Sequence, residues 1–243
     1  MESSELKILP LKPLEEQNKL KREIHPTLPD ISKGILCVSI GPIKNGKTVR
    51  ASNLLLNPNF YYGCFEPENM TIISPTIKQD VSARFLYQKY KDNCYTGFDP
   101  KIIKGLVNRQ SMYPQGQRPS YCLYCDDIVG EINKLGGKGK EFNHFCTRFR
   151  HYTNEGCLVM INSQKFREIS PILRANANVY FIGKVYNRKE REAIIEELAD
   201  SFGGRATFEK AWEEATSEPY SFLYANLDRT PAELWKNFEK QLV

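Results

Sequence analysis

Apolar runs of strand length alternate with amphipathic segments along most of this chain. Residues 34–40 (Gly-Ile-Leu-Cys-Val-Ser-Ile) are almost continuously hydrophobic, which predicts a strand buried on both faces. A glycine-bounded loop follows at once, and residues 48–56 read as a helix stopped at Asn57-Pro58. Residues 70–74 predict a second strand, followed by Pro75 and a polar helix to Tyr90. A third short strand is expected near residues 102–107. Residues 120–125 form a further apolar strand that ends in Asp126-Asp127. The stretch 130–140, rich in glycine and lysine, reads as a loop, and 142–152 as a helix. Residues 156–161 predict a strand closing on the polar run Asn162-Ser163-Gln164, and 178–185 predict another. An amphipathic helix over 188–199 is broken by Gly203-Gly204. A helix over 208–216 then leads to a strand at 220–227. Strands alternating with helices predict an α/β fold: a mainly parallel sheet flanked by helices on both faces.

This pattern divides the chain into a strap at 1–33, a core domain at 34–227 and a C-terminal helix at 228–243. In the strap, Pro10, Pro13, Pro26 and Pro29 surround a charged stretch, 14–24, that reads as a short helix. The strap is either a docking arm for a neighbouring subunit or a tail.

Composition narrows the class. The 243 residues are 41% hydrophobic, enough for a sizeable core. No stretch approaches the ~18 consecutive apolar residues of a membrane-spanning helix. Residues 1–30 have no apolar core of a secretory signal, so the protein is expected not to be secreted. The seven cysteines are an odd number and read as reduced thiols. Cys122 and Cys125 have metal-motif spacing but fall within a predicted strand, where their side chains point to opposite faces. The net charge of +5 permits a nucleic-acid partner without requiring one.

The chemistry begins at Gly41-Pro42-Ile43-Lys44-Asn45-Gly46-Lys47-Thr48, a match to G-x-x-x-x-G-K-[ST]. The glycines let backbone N–H groups turn inward onto phosphate oxygens, and the following helix adds its positive end. Lys47 is the expected contact to the β- and γ-phosphates, and the Thr48 hydroxyl is an expected Mg2+ ligand. The candidate nucleotide-binding residues are therefore Gly41, Pro42, Ile43, Lys44, Asn45, Gly46, Lys47, Thr48 and Val49. Asp126, at the end of an apolar strand, is the expected carboxylate partner of the metal. Asp127 is then placed to position or deprotonate water, or else to cap the next helix. Gln164 closes a strand expected between the phosphate-loop strand and the Asp126 strand. It is placed to hold the attacking water, or else it is a polar strand end.

Together with Arg150-His151, Ile172-Leu173-Arg174-Ala175-Asn176 and the segment from Ala215-Thr216 through Pro219-Tyr220-Ser221-Phe222-Leu223, these features resemble one family. It is the genome-packaging ATPase group of poxviruses, giant viruses and virophages, within the FtsK–HerA superfamily. The resemblance covers roughly residues 34–227, and the chain length suggests a virophage-sized member. Two departures stand out. Lys44-Asn45 occupy positions where small residues are common, and Asp127 stands where many superfamily motors carry Glu.

The resemblance implies a RecA-like P-loop domain that uses ATP and Mg2+ and assembles into a homo-oligomeric ring. It implies double-stranded DNA as substrate, a capsid or portal vertex protein as partner, and a place in the host cytoplasm (viral factory) or with the virion. Ring motors complete their site with an arginine from the neighbouring subunit. Arg150 is the first candidate, Arg174 the second and Arg148 the third; each is otherwise a surface salt-bridge former. Lys134, Lys138 and Lys140 are candidates for DNA-phosphate contact in the ring channel, or else belong to a solvated loop. A helicase or plasmid-transfer pump of the same superfamily, a P-loop small-molecule kinase and a nucleotide-switched assembly factor remain alternatives.

Overall fold

The computed structural model describes residues 23–243. Among them the strands are β1 (Ile35–Ile40), β2 (Met70–Ile73), β3 (Cys94–Tyr95), β4 (Tyr121–Asp126), β5 (Cys157–Ser163), β6 (Val179–Ile182), β7 (Leu223–Asn226), β8 (Glu233–Lys236) and β9 (Lys240–Gln241). They form one sheet in the order β3-β2-β4-β5-β1-β6-β7-β8-β9. The pairings from β3 to β6 are all parallel, and those from β6 to β9 are antiparallel. The expected place of the Gln164 strand is the observed one, since β5 lies between β1 and β4.

The helices are α1 (Lys47–Leu56), α2 (Arg84–Tyr90), α3 (Pro100–Ser111), α4 (Val129–Lys134), α5 (Lys140–Arg148), α6 (Pro171–Asn176), α7 (Arg188–Leu198) and α8 (Arg205–Ala215). The two-residue period of a strand sorts the apolar residues onto two cores. Leu36, Val38 and Ile40 of β1 join Leu123, Val159 and Tyr180 under residues of α3 to α8. Ile35 and Cys37 join Tyr124, Met160 and Phe181 under α1 and α2. A strand buried on both sides favours apolar residues at nearly every position, which is why β1 reads as an apolar run broken only by the buried Ser39, whose Oγ accepts from Arg50. Cys125 lies in the first core and Cys122 in the second, on opposite faces of β4.

Three expectations are corrected. Residues 102–107 are not a strand but the middle of α3. Asp99 accepts a hydrogen bond from the Lys101 amide at 2.8 Å and caps the helix, Pro100 starts it, and Ile103, Leu106 and Gln110 form its buried stripe. The third strand is instead the two-residue β3. The stretch 130–140 is not a loop either: it contains α4, a 3-10 turn at Gly136–Gly139 and the start of α5. Val129 and Ile132 anchor it to the core, and Gly139 lies against the Ile132 carbonyl where no Cβ would fit.

The third correction concerns 228–243, which is not a helix but carries β8 and β9. The register Leu223↔Lys236 to Asn226↔Glu233 satisfies the free edge of β7, and Asn237, with φ 54°, turns the chain back. The domain therefore runs beyond 227. The expected helix at 14–24 and most of the strap, residues 1–22, lie outside the described residues. The end of the strap is docked. Leu28 and Ile31 are buried, and the Tyr61 hydroxyl donates to the Pro29 carbonyl at 2.7 Å.

Trp212 of α8 is fully buried and its indole N–H donates to the Gly183 carbonyl at 3.0 Å, just past β6. Trp212→Ala is expected to cost ~3–5 kcal/mol by opening a cavity. Trp212→Phe keeps most of the packing but orphans the carbonyl, at ~1–3 kcal/mol. Urea unfolding of the three proteins measures this order, and equal losses would contradict it.

Candidate functional site

The parallel block directs the C-terminal ends of β2, β4, β5 and β1 to one edge, where α/β sheets bind ligands. The phosphate loop leaves β1 there. Its root is held on both sides: Gly41 N–H donates to the Ser163 carbonyl at 3.3 Å, and Gly183 N–H donates to the Ile40 carbonyl at 2.8 Å. Lys44 (φ 64°) and Gly46 (φ 78°) adopt left-handed conformations, which curl the loop into a concave rim of backbone N–H groups. Lys47 begins α1. Its ammonium donates to the Gly41 carbonyl at 2.6 Å and the Pro42 carbonyl at 3.0 Å. Burial lowers its pKa, opposed by the charges of Asp126 and Asp127. Asn45 turns inward. Its Oδ1 lies against Gly41 and Gly183, buried and without a hydrogen-bond partner, in space that a side chain at 183 would fill.

Asp126 ends β4 opposite Asn162 of β5. Side-chain parity puts both on the α1 face with Tyr124. The Asn162 amide donates to Asp126 Oδ1 at 2.8 Å and to the Tyr124 hydroxyl at 2.9 Å, and Ser74 Oγ donates to Asp126 Oδ2 at 3.4 Å. Burial raises the Asp126 pKa, partly offset by hydrogen bonds from Asn162 and Tyr124 and by the charge of Lys47. Asp127 follows in a left-handed turn (φ 55°) and is exposed. It is not a helix cap, since the cap of α4 is Ile128 without a side-chain bond. Instead Asp127 Oδ2 accepts a hydrogen bond from Gln164 Nε2 at 2.5 Å.

Lys47, Thr48, Asp126, Asp127 and Gln164 thus line one cavity of about 300 Å³, together with Ile43 to Gly46 and Val49 of the loop. Thr76, Asp80 and Ser82 complete the lining. Sequence reasoning did not select these three, nor Ser74 and Asn162. Ser74, Thr76, Asp80 and Ser82 follow the C-terminal end of β2 and Asn162 lies near the end of β5, so the strand order would have found them. Asp126, Asp127, Asp80 and the Thr48 hydroxyl offer hard oxygen donors, and the buried Asn162 Oδ1 beside Asp126 has no partner. Of these, the Asp126 carboxylate and the Thr48 hydroxyl are the pair of the kind Mg2+ prefers; no three carboxylates among the described residues are grouped closely enough to hold a metal ion.

The arginines and lysines lie elsewhere. Arg150 is exposed, with its stem over Gly34 at the opposite end of β1 and its guanidinium 5.5 Å from the Phe149 ring. Arg148, also exposed, ends α5. Arg174 is held by Glu197 at 3.4 Å and lies 5.0 Å from the Phe166 ring. Lys134 and Lys140 are exposed at the end of α4 and the start of α5, and Lys138 lies in the 3-10 turn between them. Among the described residues no arginine lines the cavity.

No protein-family model and no curated protein sequence matches the chain. Solved structures do share its fold. The genome packaging NTPase B204 from Sulfolobus turreted icosahedral virus 2, in complex with ATP-gammaS, is 14% identical with a TM-score of 0.51. The match covers 85% of this chain and 98% of that one. The pCW3 conjugation coupling protein TcpA, a monomer with ATPgS, is 14% identical with a TM-score of 0.53, over 80% of this chain and 58% of that one. ATPases 2 and 3 of EssC from Geobacillus thermodenitrificans are 13% identical with a TM-score of 0.52, over 68% of this chain; the match spans about a third of that protein, 34%. The chain therefore shares the α/β fold of these nucleotide-binding proteins.

Because Asp126 holds its proton more tightly folded than unfolded, its contribution to stability is present at acid pH and is lost as pH rises through its raised pKa. In metal-free protein, Asp126→Asn removes that loss. It is expected to melt at or above wild type at neutral pH, by up to ~4 °C. Its melting temperature should also decline less between about pH 4 and pH 8. Thermal melts across that range measure it, and a lower neutral-pH melting temperature for the variant would contradict the burial argument.

Proposed function

We propose that this chain is an ATP-hydrolysing motor that translocates double-stranded viral DNA into a preformed capsid. The observation that carries hydrolysis is the Gln164–Asp127 hydrogen bond in the same cavity as Lys47 and Asp126. In this reading Lys47 exchanges the loop carbonyls for β- and γ-phosphate oxygens, whose charge restores its lowered pKa. Thr48 and Asp126 would hold Mg2+, which when bound would supply positive charge against that building on the phosphates. Gln164 and Asp127 hold a water in line with the γ-phosphate, and Asp127 takes its proton.

Packaging is favoured by the end-to-end match to B204, a genome packaging NTPase of similar fold. The match to TcpA supports the second reading, a transfer pump of the same superfamily. The absence of arginine from the described lining supports a homo-oligomeric ring in which a neighbour supplies one. Arg150 is the better donor, because it is exposed and has no ion pair among the described residues, while Arg174 is engaged by Glu197. Lys134, Lys138 and Lys140 are proposed as phosphate contacts to the DNA. A capsid or portal vertex protein is the proposed docking partner, and the host viral factory or the virion the proposed location. Among the described residues no helix is long and apolar enough to cross a membrane.

ATP turnover is expected without any phosphoryl acceptor, which a kinase would not show, and is expected to rise on addition of linear double-stranded DNA. Lys47→Ala should abolish it. Absence of DNA stimulation in a protein that sizes as a persistent monomer would overturn the motor reading.

Arg150→Ala should bind ATP normally and lose about 10³-fold in turnover. Mixing it with Lys47→Ala subunits should restore part of the activity. Wild-type turnover by Arg150→Ala alone would remove this residue from the mechanism.

A further inference from the structure

Beside the phosphate-loop cavity three polar side chains of the sheet are buried. Asp126 is 7% exposed, Asn162 1% and Tyr124 0%. Asn162 of β5 is paired with Asp126 of β4, and Tyr124 stands two residues earlier on β4, on the same face. We propose that Tyr124 and Asn162 are positioning residues for the divalent cation of this site, holding the Asp126 carboxylate and the Thr48 hydroxyl in the relation that Mg2+ requires; the inference rests on the Mg-ATP reading above.

Packing alone does not account for these two residues. A strand covered on both faces favours apolar side chains. The Tyr124 ring fills space in the core under α1 and α2, and a phenylalanine ring would fill it equally. The hydroxyl adds a polar atom that burial penalises unless it is bonded. Its oxygen accepts from Asn162 Nδ2 at 2.9 Å and from the Thr48 hydroxyl, and its hydrogen goes to the Asp126 carboxylate. A phenol has one hydrogen and two lone pairs to place, and these three partners use them all. Thr48 belongs to α1 and Asp126 to β4. A single hydroxyl from the core therefore ties together the two expected ligands of the cation.

The direction of the bonds suits that task. A threonine hydroxyl that gives its oxygen to a cation must send its hydrogen elsewhere, and Tyr124 takes it. An ionised carboxylate can only accept, and Asp126 receives Asn162 Nδ2 on Oδ1 at 2.8 Å as well as the Tyr124 hydroxyl. Ser74 Oγ reaches Oδ2 only at 3.4 Å, beyond the usual length of a hydroxyl bond. Asn162 thus spends its amide N–H₂ on both partners, Asp126 and Tyr124. Its Oδ1 is buried without a partner. An orphaned buried acceptor is costly, and Mg2+ keeps several of its waters, each of them a donor. In this reading a water of that shell donates to Asn162 Oδ1, so Asn162 serves the cation through both ends of its amide.

Electron paramagnetic resonance of Mn2+, used in place of Mg2+ on the full chain with AMPPNP, reads cation affinity without turnover. Tyr124→Phe is expected to bind Mn2+ about tenfold more weakly than wild type. Its affinity for AMPPNP in EDTA should stay within about twofold, because the phosphate loop itself is untouched. The Mg2+ concentration for half-maximal ATP turnover should rise about tenfold, with a smaller loss in kcat at saturating Mg2+. Asn162→Ala should reproduce this pattern. The double variant should lose less than the product of the two single losses, since both act through Asp126. Thermal melts establish that each variant folds, and if Asn162→Ala does not, Tyr124→Phe decides alone. Wild-type Mn2+ affinity in Tyr124→Phe, whatever its melting temperature, would assign these residues to packing and overturn the proposal. So would an equal loss of AMPPNP affinity in EDTA. Failure of wild type to bind AMPPNP or Mn2+ would instead overturn the Mg-ATP reading on which the proposal rests.

Discussion

The backbone hydrogen bonds that clamp the root of the phosphate loop are the constraint on which the rest of the molecule depends. β1 is paired on one side with β5 and on the other with β6, and the pairing continues one residue past the strand through Gly41 and Gly183. A loop that must turn its N–H groups inward cannot bond them to itself, so its position has to be set from outside. The two neighbouring strands do this, and the same parallel pairing carries Asp126 and Gln164 to the level of the loop. Sheet register and site geometry are one property here: a shift of β4 by a single residue would turn Asp126 to the far face.

Unfavourable features gather around this clamp. Asp126 is a buried carboxylate, Lys47 a half-buried ammonium bonded to carbonyls of its own loop, and Arg50 a buried guanidinium whose pKa burial lowers to about 10. Lys44, Asp127 and Tyr220 adopt left-handed conformations without being glycine. Each costs free energy. The two apolar cores on either face of the sheet supply the surplus that tolerates them.

The parallel part of the sheet and the phosphate loop were legible because their signals are local. A nearly continuous apolar run marks a strand covered on both sides, and glycines, lysine and threonine at fixed spacing mark the loop. The place of β5 between β1 and β4 was also reached, through the chemistry expected of Gln164. Elsewhere local signals misled. Ile102, Ile103 and Val107 favour a strand by composition, yet Asp99 and Pro100 start a helix whose stripe needs only Ile103 and Leu106. The segment around Leu234 and Trp235 has helix-forming composition, but the open edge of β7 takes it as a strand. Ser74, Thr76 and Asp80 were invisible for a different reason: they belong to the site only because β2 lies next to β4, a fact of strand order that no spacing along the chain encodes.

The two outermost strands, β3 and β9, are each two residues long. Strands this short offer almost no backbone for another chain to pair with. Among the described residues the edges of the sheet therefore offer another copy little backbone to extend. A sheet whose edges are this short resists the strand-by-strand addition of further chains that drives polymerisation.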